Sequence, residues 1–125
     1  MFAPRLAALA ALSLASLAPA AQPQAAVQTI TVSSFDYAPR PIHLRAGTPV
    51  TLTFVNRSNS SHDFTAERFF ASSRILAGAA PGGEIDLPGG ATRSITLIPA
   101  AGTYKAHCSH FMHKQLGMKD TILVH

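Results

Sequence analysis

Residues 102–124 read GTYKAHCSHFMHKQLGMKDTILV, and this stretch places the only cysteine of the chain among three histidines and two methionines. The alternation in GTYKAHC predicts a strand with Tyr104, Ala106 and Cys108 on its inward face. The segment KDTILVH that follows predicts a second strand. The stretch therefore predicts two strands joined by a loop in which soft and borderline metal-ligand side chains are concentrated.

Short β-branched segments recur through the rest of the chain, and turn signals rich in Gly, Pro, Asn or Ser separate them. In PVTLTFVN, for example, Val50, Leu52 and Phe54 share one face, which predicts a half-buried strand. The segments before the cysteine loop are QTITV (28–32), PIHLR (41–45), PVTLTFVN (49–56), EIDL (84–87) and TRSITLI (92–98). With the two that flank the loop, these seven strands predict an all-β sandwich of two sheets.

One segment departs from the alternating pattern. AERFFASSRILA, residues 66–77, carries Phe69, Phe70, Ser73 and Leu76 near helical spacing. This spacing predicts a short helix that crosses one end or side of the sandwich. A chain of 125 residues with 47% hydrophobic composition and no internal repeat suits a single domain.

The beginning of the chain has the composition of a secretory signal. Arg5 precedes the apolar run LAALAALSLASLA, and the small residues APA that end at Ala20 suit a cleavage position. Because the run is shorter than the roughly 20 apolar residues that cross a bilayer, we expect no membrane span in the mature protein. The expected organisation is a signal peptide over 1–20, cleaved near Ala20, a flexible leader over 21–27, and a periplasmic or secreted domain over 28–125.

Charge and cysteine content restrict the function further. The formal net charge is +4, and the basic residues are scattered singly, which gives no support for nucleic-acid binding. A lone cysteine has no intramolecular disulfide partner. In an oxidising compartment, Cys108 is expected to pair with another chain, to stay inert in the core or to be held by a metal, and the metal protects the thiol best.

Cys108, His113 and Met118 follow the pattern Cys-x4-His-x4-Met, so one loop offers a thiolate, an imidazole and a thioether. A trigonal copper site uses two histidines and one cysteine, with a weakly bound axial methionine. His62 in NSSHDF is the best second histidine, because a loop after the strand PVTLTFVN can approach the cysteine loop in a sandwich. The alternative is a loop histidine satisfied by water or by Asp63, and His62 alone does not decide between the two.

His110 and Met112 add two more donors inside the same loop. We expect His110 to be exposed or to support the ligands, although its spacing leaves open an exchange with His113. Met112 and Phe111 are interpreted as an apolar rim. The remaining histidines, interpreted as ordinary surface residues, are His43, His107 and His125.

NSSHDF, GTYKAHC with the histidine after it, and GMKDTILV resemble the copper loops and the final strand of the cupredoxins, the small blue copper proteins. The resemblance covers nearly the whole chain after the signal peptide, and the loop spacing is similar to that of rusticyanin and auracyanin. It implies a cupredoxin-like Greek-key β-sandwich with one type 1 copper ion (Cu2+/Cu+) per chain. It also implies His62, Cys108 and His113 as equatorial ligands and Met118 as the axial ligand.

The resemblance further implies one-electron transfer rather than enzymatic activity. Electrons would leave through an exposed ring edge of His113 to a docked redox partner, and we expect a monomer. Backbone amides near Asp63 and Ser109 are expected to hydrogen-bond the Cys108 sulfur. The expected contact surface is a small apolar patch with lysines at its edge, formed by Phe111, Met112, Leu116, Lys114 and Lys119.

Other functions stay open at this point. The extra donors His110 and Met112 favour a protein for copper buffering, delivery or tolerance, because soft ligands aid the handover of Cu+. An enzyme with Cys108 as nucleophile explains neither Met118 nor His62. A sandwich used only for adhesion predicts that Cys108 is dispensable.

Overall fold

The computed structural model describes residues 1–17 and 24–125. Within these ranges the chain forms ten strands, one α-helix and one short 3-10 turn. The strands are β1 (Ala26–Ser33), β2 (Asp36–Ala38), β3 (Ile42–Leu44), β4 (Val50–Asn56), β5 (His62–Thr65), β6 (Arg74–Ala77), β7 (Glu84–Leu87), β8 (Thr92–Ile98), β9 (Gly102–His107) and β10 (Lys119–Val124). The helix α1 spans Glu67–Ser72, and the 3-10 turn spans Pro81–Gly83.

The strands form two five-stranded sheets, with the orders β2-β1-β4-β8-β6 and β3-β10-β9-β5-β7. Two pairs are parallel, β1 with β4 and β3 with β10, and the other pairs are antiparallel. Most neighbouring strands are therefore distant in sequence, as in a Greek-key arrangement. The predicted all-β sandwich of two sheets with one short helix is confirmed.

Alternating strands place the apolar core between the sheets. In β4, Val50, Leu52 and Phe54 are buried, as their spacing predicts. Phe64 of β5 lies at the centre of an aromatic cluster, with ring centroids 4.8 Å from Phe54 and 5.3 Å from Tyr37. The cluster brings the two sheets together directly behind the loops that carry the predicted ligands.

The boundaries of the predicted helix are wrong at its C-terminal end. The helix ends at Ser72, because the backbone N–H and the hydroxyl of Ser73 both donate to the Phe69 carbonyl and Ser73 itself is extended. Arg74–Ala77 then forms β6, which pairs with the otherwise open edge of β8. Leu76, expected on the helix, is an exposed strand residue.

Three strands were not predicted, namely β2, β5 and β6. They contain only three or four residues each, and all four residues of β5 are buried, so the alternation that marks a half-buried strand is missing. Strand β1 begins at Ala26, so the last two residues of the expected leader belong to a sheet. The expected cleavage near Ala20 lies outside the described residues.

Residues 1–17 are exposed and carry no regular secondary structure. In the parts of the chain that the structure describes, no helix has the length and apolar character needed to cross a membrane.

Asn56 at the end of β4 organises the turn that leads to β5. Its side-chain N–H groups donate to the carbonyls of Ser60, Leu87 and Pro88 at 2.9, 2.9 and 3.1 Å. Its side-chain oxygen accepts the N–H and the hydroxyl of Ser58. Because Asn56→Ala leaves these buried groups without a partner, we expect the free energy of unfolding to fall by about 2–3 kcal/mol in urea denaturation.

Thr53→Ala is the matched control for that measurement. Thr53 lies on the same strand, but its hydroxyl meets only the Ser94 hydroxyl at an exposed position. We expect it to cost less than about 1 kcal/mol. Equal losses for the two variants would contradict the role assigned to Asn56.

Candidate metal centre

Three of the four predicted ligands converge at one end of the sandwich. His62 is the first residue of β5, Cys108 directly follows β9, and His113 lies in the loop between β9 and β10. The Nδ1 atoms of His62 and His113 are 3.2 Å apart, and the Cys108 Sγ is 3.4 Å from the His113 Nδ1. One donor atom from each residue lies within 4.8 Å of the others.

Met118 is brought to the same place by the backbone of the loop. The Cys108 N–H donates to the Met118 carbonyl at 3.1 Å, and the Met118 N–H donates to the His113 carbonyl at 2.9 Å. The Met118 side chain is fully buried. Gly117 permits this close turn because its φ of +100° lies in the region that favours glycine.

Burial controls the protonation of Cys108. Burial raises the pKa of the Cys108 thiol, while the backbone N–H groups of His110 and Asp63 lower it by less. The result is a raised pKa, so the metal-free protein keeps a neutral thiol at neutral pH. Binding of a metal must therefore displace this proton, and the same N–H groups would then stabilise the thiolate.

The expectation that backbone amides near Asp63 and Ser109 hydrogen-bond the Cys108 sulfur stays a prediction. The backbone of Asp63 and that of His110, next to Ser109, both lower the pKa of the Cys108 thiol, as such hydrogen bonds would. The Ser109 N–H itself donates to the Asp63 carboxylate at 2.9 Å. The Ser109 amide is diverted because the carboxylate of Asp63 is fully buried directly beside it.

His62 is held in a form that suits a ligand. Burial, followed by the proximity of His113 and His110, lowers the pKa of His62, so its imidazole is neutral. Its Nε2 lies 3.4 Å from the Ser34 hydroxyl, which leaves Nδ1 to face His113 and the sulfur.

The donor set fits copper. Two imidazole nitrogens and one thiol sulfur face each other inside the protein. The two Nδ1 atoms can lie this close only with a proton or a cation between them. A set of two histidines, one cysteine and a nearby methionine is the one that copper electron-transfer sites use. The assignment of the four ligands stays a prediction, and the geometry is consistent with it.

His110 belongs to a second, overlapping group. Its ring stacks on His113, with centroids 5.4 Å apart and an angle of 17° between the planes, and its Nε2 is 3.6 Å from the Asp63 Oδ2. A donor group of Asp63, Cys108 and His110 is therefore also close enough to hold a metal. The Asp63 oxygens already accept hydrogen bonds from Thr65 and Ser109, which favours the group that contains His113.

The loop exposes apolar side chains around His113. The exposed fractions are 90% for Phe111, 45% for Met112 and 55% for Leu116. His113 itself is partly exposed, and the Phe35 ring packs against its ring at a centroid distance of 5.1 Å, with an angle of 79° between the planes. The loop therefore presents an apolar surface, which we call the loop patch and define by Phe35, Phe111, Met112 and Leu116.

Four residues at the site were missed by sequence analysis, namely Ser34, Phe35, Tyr37 and Arg40. They lie in one short segment that includes β2, and they contact the ligands or the residues next to them. Their sequence signal is weak. No characteristic spacing distinguishes this combination of a serine, two aromatic residues and an arginine beside two prolines.

Residues 5–124 match the cupredoxin-like domain, so the chain belongs to the cupredoxin family. No curated protein sequence matches significantly. An auracyanin B structure has a TM-score of 0.58 and 21% identity, covering 84% of this chain and 92% of the other. Dithionite-reduced auracyanin from the photosynthetic bacterium Roseiflexus castenholzii has a TM-score of 0.61 and 20% identity, with coverage of 82% and 98%.

A multicopper oxidase from Campylobacter jejuni is also similar, with a TM-score of 0.62 and 11% identity over 87% of this chain, but over only 32% of the oxidase. At these identities the solved structures establish a shared fold. The family and the donor set together define a small copper-binding protein of the electron-transfer type.

Proposed function

We propose that this protein is an exported, single-domain electron carrier that holds one type 1 copper ion with His62, Cys108, His113 and Met118. The observation that carries the proposal is the convergence of the two Nδ1 atoms and the Cys108 sulfur within 4.8 Å. When bound there, copper would accept and release one electron at a time. No position is left open for a substrate, and for this reason we do not propose an enzyme.

The protein supports this function by holding the ligands still. His62 is fixed by the buried strand β5, and Cys108 and Met118 are joined by a backbone hydrogen bond. The strands that carry or flank the ligands, β5, β9 and β10, belong to one sheet, and ligands held by it move little between oxidation states, which favours rapid electron transfer. Cys108 is almost fully buried, so water has little access to the sulfur.

We further propose that a redox partner docks on the loop patch, where His113 reaches the surface. Lys114 and Lys119 are exposed at its edge and favour an acidic partner in a salt-dependent way. A small apolar surface suits brief encounters, and we expect the protein to act as a monomer. Signal-peptide cleavage and a periplasmic or secreted location remain part of the proposal, supported by the composition of the first residues.

A second function is favoured by one specific observation. His110 stacks on His113 and is 38% exposed, and Met112 is also exposed next to it. Such donors outside the central group would receive or pass on Cu+, as expected for a protein of copper buffering, delivery or tolerance. A reversible one-electron couple with an intensely coloured Cu2+ form supports the carrier. Tight Cu+ binding without a stable coloured Cu2+ form supports copper handling.

The ligand assignment predicts opposite results for the two stacked histidines. In copper-loaded protein, His113→Ala is expected to abolish the intense thiolate absorption or to shift it strongly, because an equatorial ligand is lost. His110→Ala is expected to keep the wild-type optical and spin-resonance spectra. A wild-type spectrum for His113→Ala, or its loss only in His110→Ala, would show that His110 is the ligand.

The loop patch predicts an effect on electron exchange between two copies of the protein. Leu116→Asp adds a buried charge to the contact, so electron self-exchange between reduced and oxidised protein is expected to slow by about tenfold or more. Nuclear magnetic resonance line broadening measures this rate. Leu76→Asp is the control, because Leu76 has similar exposure on β6, outside the ligand loop. Equal slowing in both variants would contradict docking through the loop patch.

A further inference from the structure

Residues 34–40 run past the metal centre and contact the predicted ligands or the residues next to them. The Ser34 hydroxyl meets His62, the Phe35 ring meets His113, and the Tyr37 hydroxyl donates to the Asp63 carbonyl beside the sulfur. Arg40 binds the backbone on both sides of Met118. We infer that residues 34–40 form a positioning segment for all four predicted ligands and that Arg40 fixes Met118. The inference rests on the proposed copper function.

Arg40 makes three hydrogen bonds to the loop, more than any other residue of the segment. Its Nε donates to the Lys119 carbonyl at 2.9 Å, and its Nη2 donates to the carbonyls of both Gly117 and Lys119, the former at 2.5 Å. A guanidinium is a rigid fork, so it holds two carbonyls in a fixed relation. These carbonyls flank Met118, and the position of the methionine backbone is therefore tied to Arg40.

Arg40 is itself held in place. Its third nitrogen, Nη1, lies 3.2 Å from the Asp36 carboxylate. Pro39 and Pro41 stand on either side of it, and their rings restrict the backbone there. An anchored arginine loses less conformational entropy when it binds the loop than a free one would. The clamp therefore exists before any metal arrives.

Phe35 and Tyr37 extend the same function to the other ligands. Phe35 has a φ of +67°, a strained conformation for a bulky residue, and its ring packs nearly perpendicular to the ring of His113. Tyr37 is buried, and its hydroxyl hydrogen-bonds the Asp63 carbonyl and also faces the Cys108 sulfur. Residues 34–40 thus limit movements of the ligand side chains that the ligand-bearing strand and loop do not prevent by themselves.

The test compares Arg40→Ala and Arg40→Lys with Arg93→Ala as the control. Arg93 is an exposed arginine whose side chain, among the described residues, hydrogen-bonds only the carbonyl of the residue before it. Amide hydrogen exchange is measured first, in metal-free protein. In Arg40→Ala we expect the amides of Cys108 and Met118 to exchange about tenfold faster or more, while the amides of β4 keep wild-type rates. The copper-loaded variants are then examined by spin resonance and by reduction potential.

Arg40→Lys separates geometry from charge. Lysine keeps the charge and the stem but lacks the fork, so partial protection of Met118 and an altered spectrum are expected. If Arg40→Ala fails to fold, the same exchange and copper measurements are made on Arg40→Lys. Wild-type exchange at Met118, uniform acceleration throughout the protein, or an unchanged copper spectrum in Arg40→Ala would overturn the inference. If the wild-type protein bound no copper, the proposed function would fail, and the exchange experiment would still decide whether Arg40 positions Met118.

Discussion

Cys108→Ser protein is expected to lose the intense visible absorption of the copper-loaded form completely. Its copper affinity should fall by more than about a hundredfold, beyond the usual loss for a residue that only supports a ligand. The reason is chemical, because a serine hydroxyl keeps its proton and is a harder ligand than a thiolate. Titration against a competing chelator measures the affinity, and the optical spectrum reports the sulfur ligand.

The fold should survive this substitution. Serine has nearly the volume of cysteine, so we expect the metal-free variant to lose no more than about 2 kcal/mol, the cost of one poorly bonded buried hydroxyl. His107→Ala is a suitable control, since His107 is the adjacent residue but points to the opposite face of β9. If Cys108→Ser kept the colour and the affinity, the metal centre described above would be wrong.

Asp63→Ala is expected to cost about 3–5 kcal/mol of the free energy of unfolding, because it removes the shared acceptor of several hydrogen-bond donors. The carboxylate accepts the Ser109 N–H and hydroxyl and the Thr65 hydroxyl, at 2.9, 2.5 and 2.7 Å. These donors would be left unpaired inside the protein. Since Asp63 also connects β5 to the residue after Cys108, copper should bind more weakly as well.

Asp86→Ala is the matched control for this prediction. Asp86 pairs directly with Asp63 across β5 and β7, but its side chain is exposed. We expect it to change the free energy of unfolding by less than about 0.5 kcal/mol. Denaturation in urea compares the two variants, and a loss below about 1 kcal/mol for Asp63→Ala would show that its hydrogen bonds are replaced by water.

Long alternating strands were predictable, and short buried ones were not. β4 and β9 have one apolar and one polar face, so their side-chain order records which residues face the core. β5 is buried on both faces, and β6 is exposed throughout, so neither contains that pattern. The end of α1 depended on hydrogen bonds of Ser73 that composition alone does not reveal.

The functional site also has a part that the sequence could predict and a part that it could not. The proximity of His62, Cys108 and His113 could be predicted, because one short loop carries the last two and His62 was the best second histidine beside them. Their role as ligands, with Met118, stays a prediction. Arg40 was not predictable, since its role depends on a contact with Gly117, which lies 77 positions away in sequence. Contacts of this kind are set by how the two sheets pack, which residue spacing does not encode.

The parallel pairing of β10 with β3 affects how the protein matures. Met118 directly precedes β10, and β10 needs both β3 and β9 as neighbours. Of the four predicted ligands, a nascent polypeptide that has emerged only as far as Cys108 therefore offers the Cys108 thiol and the His62 imidazole alone. Such an incomplete chain cannot sequester a metal in the native arrangement, so metallation must follow translation of almost the entire polypeptide.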